Sequence, residues 1–469
     1  VTETGEKRRR LGGREATAAQ IPGAYAISVG DTGAPLPQGW KRHLLSDLAR
    51  MESGHTPSRR HPEYWGGSIP WIGIRDATGN HGRTIYETNE NTNELGIANS
   101  ASRVLPKDTV CLSRTASVGY VVVMGRDMAT SQDFANWICG PDLDYRYLKY
   151  ALIAEGNALL NFASGSVHQT IYFPELKSFH IAAPGRPEQS AIADTLSALD
   201  EKIELNRRMN ETLEAMAQAI FRDWFVDFGP VRRKMAGVTD PAAIMGGLSP
   251  DPVTAAKLAN LFPDTLGEDE LPVGWSEKPL DQIADFLNGL ALQKFPAQPG
   301  EPSLPVIKIA ELRGGISDKS NRASRDLPER YIIRDGDFLF SWSGSLMAKV
   351  WTEGEGALNQ HLFKVSSTKY PQWFYARWVH HHMPEFQSIA ASKATTMGHI
   401  QRGHLSSATT VCPPDNLFDE MSKVMDPLWQ RAIHNDLQNL TLAETRDYLL
   451  PRLMSGEVRV GDAALEIAA

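Results

Sequence analysis

A chain of 469 residues with 42% hydrophobic and 22% charged residues has the composition of a globular protein with sizeable cores, long enough for about three domains. Its net charge of −8 argues against nucleic-acid binding through bulk positive charge, and no apolar run approaches the ~18 residues of a membrane span. Three cysteines, Cys111, Cys139 and Cys412, are odd in number, widely spaced and without a C-x-x-C pair. They indicate neither a disulfide framework nor a zinc site and fit a reducing, cytoplasmic setting.

Residues 1–35 open with a basic cluster, Lys7 to Arg10, that no apolar stretch follows. This is not the pattern of a signal peptide, and the segment reads as a disordered tail. At Leu36 begins a segment that the chain later repeats. Leu36-Pro37-Gln38-Gly39-Trp40 returns as Leu271-Pro272-Val273-Gly274-Trp275. The correspondence continues through Ser113 and Ser341, Gln132 and Gln360, Ile171 and Ile400, Asn206 and Asn435, and Asn210 and Asn439. The copies are diverged, since Pro106 falls opposite Arg334. Such a repeat far exceeds the ~20 to 50 residues of a solenoid unit and marks a duplicated domain. Two similar but unlike domains give a pseudo-twofold molecule, suited to a nearly twofold partner such as duplex DNA. The first globular domain spans 36–186. Over residues 40–185 it carries 14 Lys+Arg against 14 Asp+Glu, which leaves room for a local basic face.

From Glu188 apolar positions step by four and three through Ile192, Leu196, Leu199, Ile203, Asn206, Asn210, Leu213, Ala217, Ile220 and Trp224. That periodicity predicts a coiled-coil helix over 187–228. The segment is acidic, with 4 Lys+Arg against 9 Asp+Glu. Residues 229–270, rich in Pro, Gly, Ala and Asp, read as a linker with one short helix around Val253 to Leu261. The second globular domain spans 271–415, again near neutral, with 14 Lys+Arg against 13 Asp+Glu over 280–415.

The second helical pattern, 416–456, passes through Met421, Met425, Leu428, Ala432, Asn435, Asn439, Leu442, Arg446, Leu449 and Leu453. Pro427 and Pro451 interrupt it, because proline kinks a helix interior or marks its first turn. Residues 457–469 are left as a tail. A buried asparagine weakens a coiled coil but fixes its register, because it must find a hydrogen-bonding partner. An antiparallel pair places Asn206 opposite Asn439 and Asn210 opposite Asn435. The fold class expected is α+β: two tandem globular α/β domains separated by an antiparallel two-helix coiled coil, a rod of ~60 Å for about 40 residues.

Several chemistries lack their residues. No G-x-x-x-x-G-K-[ST] loop is present, which argues against ATP hydrolysis. Cys412-Pro413-Pro414-Asp415 lacks the Asn or Asp before Pro-Pro and the aromatic after it that a base-amino methyltransferase would show. Asp142 with Glu175 and Lys177 is a loose match to a metal-dependent nuclease, and the second copy has His404 and Ser406 at the latter two places. His380-His381-His382 follows an aromatic helical stretch with no cysteine nearby, so no metal site is assigned.

Over residues 36–455 the chain resembles the specificity subunits of type I restriction-modification systems. The resemblance rests on the paired Leu-Pro-x-Gly-Trp openings, on Ser53-Gly54-His55-Thr56-Pro57 with Tyr64-Trp65-Gly66-Gly67 and Ile69-Pro70-Trp71, and on Ser113-Arg114-Thr115-Ala116-Ser117-Val118-Gly119. It includes the run Phe221-Arg222-Asp223-Trp224-Phe225-Val226-Asp227-Phe228-Gly229-Pro230. It implies two target recognition domains, each reading half of a split site on double-stranded DNA, and two spacer helices that dock modification (methyltransferase) subunits. Restriction (translocase/nuclease) subunits would complete the complex. S-adenosylmethionine, ATP and Mg are then expected on those partners, with no cofactor, metal or catalytic residue on this chain. The second copy has Asn288-Gly289-Leu290 and a proline-rich 295–305 in place of the Thr-Pro and Trp-Gly-Gly motifs, so an asymmetric site is expected.

Base edges are read by polar side chains on exposed loops, and phosphates by Lys, Arg or backbone N–H groups. The candidates in copy one are Thr56, Arg59, Arg60, Arg75, Arg114, Ser117, Gln132, His168 and Gln169. In copy two they are Lys308, Ser341, Ser343, Gln360, His361, His399 and Arg402. Trp40, Trp71 and Trp275 read as core. The competing readings are a protein-binding scaffold with duplicated heads and a self-contained nuclease or methyltransferase.

Overall fold

A computed structural model describes residues 15–165, 169–249, 251–392 and 398–461. The chain forms two compact units, one of residues up to Glu201 together with those from Leu442, the other of Lys202–Thr441. Each of two long helices, Arg186–Phe221 and Asp415–Ser455, therefore contributes to both. A π-helical turn, Arg222–Val226, extends the first, and the second runs unbroken through Pro427 and Pro451.

The first unit is built on a five-stranded sheet in the order Ala49–Ser53, Phe134–Cys139, Val110–Ser113, Val121–Met124, Thr84–Ile85. Val121 to Met124 are buried throughout, as expected of a β-branched run inside a sheet. The second unit repeats the arrangement with Asp285–Asn288, Leu362–Ser366, Phe338–Ser341 and Ala348–Val350. Even the register is duplicated, since Phe134 pairs with Ser113 and Leu362 with Ser341. In each unit a short strand lies parallel to a longer one: Ala129–Thr130 beside Trp65–Ile72, and Gly356–Leu358 beside Ser303–Ile307.

The openings are equivalent as well. Trp40 donates its backbone N–H to the Pro37 carbonyl at 3.0 Å and Trp275 to Pro272 at 2.9 Å. Gly39 and Gly274 make these turns at φ of 87° and 86°, the left-handed region that glycine enters without penalty. Trp40, Trp71 and Trp275 are buried in their own units, as read from the sequence.

The long helices meet antiparallel. In the second unit the Asn206 amide donates to Asn439 Oδ1 at 3.0 Å and to Gln438 Oε1 at 2.9 Å. Asn435 donates to Asn210 Oδ1 at 2.8 Å, and Asn210 to the Ala432 carbonyl and to Asp436. These are the pairings that the spacing of the four asparagines predicts. In the first unit Asp200 meets Arg446 at 3.0 Å, which continues the same antiparallel register. The ends of the helices are core elements. Phe221, Trp224 and Phe225 pack in the second unit with Trp275, while Leu449, Leu453 and Met454 pack in the first with Trp40.

Three segments depart from the sequence reading. Residues 15–35 are not a disordered tail: Ile27–Val29 adds a buried strand to Phe179–Ala183, whose other edge holds Lys41–Leu44. An edge strand presents unpaired N–H and C=O groups, which this addition satisfies. The Glu155 carboxylate fixes the approach by accepting the backbone N–H groups of Ala24, Tyr25, Ala26 and Ile27 at 2.5–3.1 Å. The basic cluster at residues 7–10 lies outside the described residues.

Residues 229–270 are not a linker either. Helices Gly229–Met235, Pro241–Ile244 and Pro252–Leu261 place Val231, Ile244, Leu258 and Phe262 in the second unit's core. The prolines that suggested a linker stand in the first turns of these helices, where the missing N–H costs nothing. Only the short helix near 253–261 was legible. After the second helix, Val458 is buried in the first unit and Arg459 pairs with Glu188. Residues 462–469 of the expected tail lie outside the described residues. Among the described residues no helix is long and apolar enough to cross a membrane.

Candidate nucleic-acid interface

In copy one the chain leaves the short strand at Thr130 and turns through Ser131, Gln132 and Asp133. A second loop presses against that turn. His55 donates its N–H to the Thr130 carbonyl at 2.9 Å, and a Cβ on Gly54 would stand 2.1 Å from the Ser131 carbonyl oxygen. Only a residue without a side chain allows this approach, and it sets the Thr56 hydroxyl 2.5 Å from Gln132 Oε1. Gln132 is exposed. Its backbone carbonyl accepts from the Arg114 guanidinium at 2.8 Å, and that guanidinium lies over the Phe173 ring. Burial lowers the Arg114 pKa, although nearby Asp133 opposes the shift. The hydroxyls of Thr115 and Thr170 meet at 2.7 Å, next to exposed Gln169. The Ser113 hydroxyl bonds the Ser117 carbonyl at 2.5 Å and so fixes the turn that carries Ser117.

A second group lies around Glu90. Arg59 grips that carboxylate with two bonds of 2.5 and 2.7 Å while its guanidinium sits 3.8 Å from the Trp65 ring. The Arg59 bond holds Glu90 below its ordinary value, and the charges of Arg59 and Arg75 add to this. Arg60 and Arg75 are exposed. His168 lies outside the described residues.

Copy two builds the same framework with other side chains. Leu290 donates to the Leu358 carbonyl at 3.0 Å, and Gln360 returns a bond to the Leu290 carbonyl at 2.9 Å. A Cβ on Gly289 would stand 2.2 Å from the Asn359 carbonyl oxygen, repeating the approach of Gly54. Ser343 meets His361 Nδ1 at 2.9 Å, and the Trp342 ring lies 5.8 Å from the His361 ring and 6.3 Å from that of His399. Asn288 accepts from the Trp342 indole N–H at 2.9 Å and holds this group in place. Lys308 starts a short helix and reaches Asn321. Exposed Arg402 donates to the Phe286 carbonyl at 3.3 Å.

Ser341 leaves the candidate set, because it is fully buried and its hydroxyl bonds the Ser345 carbonyl at 2.7 Å and receives the Met347 N–H at 2.9 Å. It fixes the same turn as Ser113. Ser343 is also buried, and its hydroxyl positions His361. Sequence reasoning missed Trp342, Asn288 and Thr170. The signal was available: Trp342 stands where copy one has Arg114, and Thr170 where copy two has His399.

The close approaches make a prediction. Gly54→Ala and Gly289→Ala should each push the paired loop off its turn, at a cost of about 1–3 kcal/mol from overpacking. Denaturant unfolding of the two variants beside the parent protein checks this. An effect below about 0.5 kcal/mol would mean that the two loops are not held together.

The histidine run packs against neighbouring aromatic rings. Burial pushes His380 down to about 4, His381 meets the edge of Trp378, and His382 Nε2 lies 2.8 Å from the Thr409 carbonyl. Among the described residues no three His, Cys, Asp or Glu side chains are grouped to hold a metal.

Residues 37–215 match the family described as the type I restriction modification DNA specificity domain. The type I restriction enzyme MjaIX specificity subunit of Methanocaldococcus jannaschii is 25% identical over 435 residues, covering 91% of this chain and 95% of that one. The HindI specificity subunit of Haemophilus influenzae is 25% identical over 332 residues, 63% of this chain and 72% of its own. The fold is that of a type I restriction-modification S subunit from M. genitalium, with a TM-score of 0.54 at 15% identity, covering 90% of this chain and 98% of that one. Residues 37–215 thus match the type I DNA specificity domain, and over nine-tenths of its length the chain is similar to a type I specificity subunit in sequence and in fold.

Proposed function

We propose that this chain is the non-catalytic DNA-reading subunit of a cytoplasmic type I restriction-modification complex. Each unit reads one half of an asymmetric bipartite site on double-stranded DNA. The antiparallel helices set the spacing of the halves and dock the modification subunits, with restriction subunits completing the assembly. S-adenosylmethionine, ATP and Mg belong to those partners. The observation that carries the reading is one framework built twice with different side chains on the same loops, as a reader of two unlike half-sites requires. Gln132, Thr56, Arg114, Ser117 and Gln169 face one half. Gln360, His361 and His399 face the other, with Lys308 and Arg402 beside them. Arg59 is held by Glu90, so exposed Arg60 and Arg75 are the phosphate contacts on that side.

Salt titration of duplex binding by the chain co-assembled with its modification subunits tests this. Each phosphate contact contributes about −0.9 to the slope of log K against log salt, so an Arg60→Ala, Arg75→Ala variant should flatten it by about 2. A protein-binding scaffold predicts no sequence-selective duplex binding, and an unchanged slope would remove these arginines from the interface.

A further inference from the structure

Diverged copies retain a side chain where something holds it. Trp40 and Trp275, Ser113 and Ser341, and Ile171 and Ile400 are retained and buried, and the four asparagines bond one another. Gln132 and Gln360 are also retained, yet Gln132 is exposed and Gln360 half-buried. Both stand two residues past the short parallel strand, on turns that backbone bonds from the facing loops hold, while the Gln132 side chain meets Thr56 and the Gln360 amide lies 3.4 Å from His361 Nε2. Around them the side chains have changed: Arg114 becomes Trp342, Thr115 becomes Ser343, and Thr170 becomes His399. Gly54 and Gly289 are retained too, and each presses its loop against the glutamine-bearing turn. The fold thus fixes two glutamines at one equivalent point and varies what surrounds them.

Resting on the DNA-reading function above, we propose that Gln132 and Gln360 read the same base, an adenine, at equivalent positions of the two half-sites. A glutamine amide matches the major-groove edge of adenine, with Nε2–H donating to N7 and Oε1 accepting from the N6 amino group. In copy one the Thr56 hydroxyl engages one lone pair of Gln132 Oε1, which orients the amide and leaves its N–H groups and the second lone pair for a base. The half-sites then share an A·T pair and differ elsewhere, because the neighbouring side chains differ.

The test uses the chain co-assembled with modification subunits and the duplex that the parent complex selects from a randomised pool. Replacing the shared A·T pair of either arm by G·C should weaken binding about ten- to a hundredfold. Gln132→Glu should move the preference at that position of one arm from adenine to cytosine, whose N4 amino group a carboxylate accepts, and leave the other arm unchanged. Gln360→Glu should do the same in the other arm. Alanine variants should lose the preference at that position alone, which keeps the test decisive if a glutamate variant fails to assemble. Unaltered preferences at every position, from variants that assemble and from a parent that selects two arms, would overturn the assignment and leave the two-armed reader standing. A parent complex that selects no site would overturn both.

Discussion

Asp200→Ala is expected to destabilise the first unit by about 3–5 kcal/mol, the cost of leaving buried charge without its partner. Asp200 stands 3.2 Å from Lys149 Nζ, 3.0 Å from Arg446 and 2.7 Å from the Tyr150 hydroxyl. The Lys149 side chain is only 8% exposed, so removing the carboxylate leaves a buried ammonium without its partner, while Arg446 keeps Asp447 at 2.8 Å. Burial alone would raise the Asp200 pKa, but Lys149, Tyr150 and Arg446 outweigh it and hold the carboxyl below its ordinary 3.8. The sign follows from proton binding. The unfolded carboxylate takes up a proton first, so the stabilisation is present above 3.8 and is lost as pH falls through the lower folded value. Urea unfolding at neutral pH and near pH 3 measures both effects. A Lys149→Met, Asp200→Leu, Arg446→Met variant, which removes the whole charge cluster, should recover much of the loss. If Asp200→Ala unfolds like the parent at neutral pH, the cluster is not a buried one.

Phe225→Ala should cost a similar amount, about 3–5 kcal/mol, through the cavity it leaves. Phe225 is 1% exposed, and its ring lies 5.5 Å from Phe374, 5.7 Å from Trp275 and 6.2 Å from Trp373. It follows the first long helix, yet its neighbours belong to the second unit. Hydrogen exchange should therefore show the variant loosening the second unit, including the strand Phe338–Ser341, while the sheet of the first unit keeps its protection. Equal loss in both units, or loss in the first alone, would contradict that placement. Met454, which packs with Trp40, offers the reciprocal experiment in the first unit.

The long helices were legible because their period and the paired asparagines agree. The four asparagines limited the register, since a buried amide needs a partner, and the antiparallel direction is shown by the bonds of Asn206 to Asn439 and of Asn435 to Asn210. The repeat exposed the shared framework for the same reason: Gly39, Gly274, Ser113 and Ser341 hold turns that the fold cannot make otherwise. What misled was local composition. Pro230, Pro241 and Pro252 looked like linker punctuation but open helices, which only their burial against the second unit reveals. Ile27–Val29 is too short to register as a strand until Phe179–Ala183 offers it an edge. Within the site, Ser341 resembled a base contact because a serine on a loop and a serine beneath a turn look alike in sequence. Trp342 escaped notice because copy one carries Arg114 there, and the two residues occupy one place with different chemistry.

The most direct test of a chain that reads DNA through two unlike heads is selection from a randomised duplex pool by the complex with its modification subunits. Two short, different half-sequences, enriched together at one fixed separation, are the predicted result. A folded complex that enriches no sequence, or a single continuous one, would contradict the account.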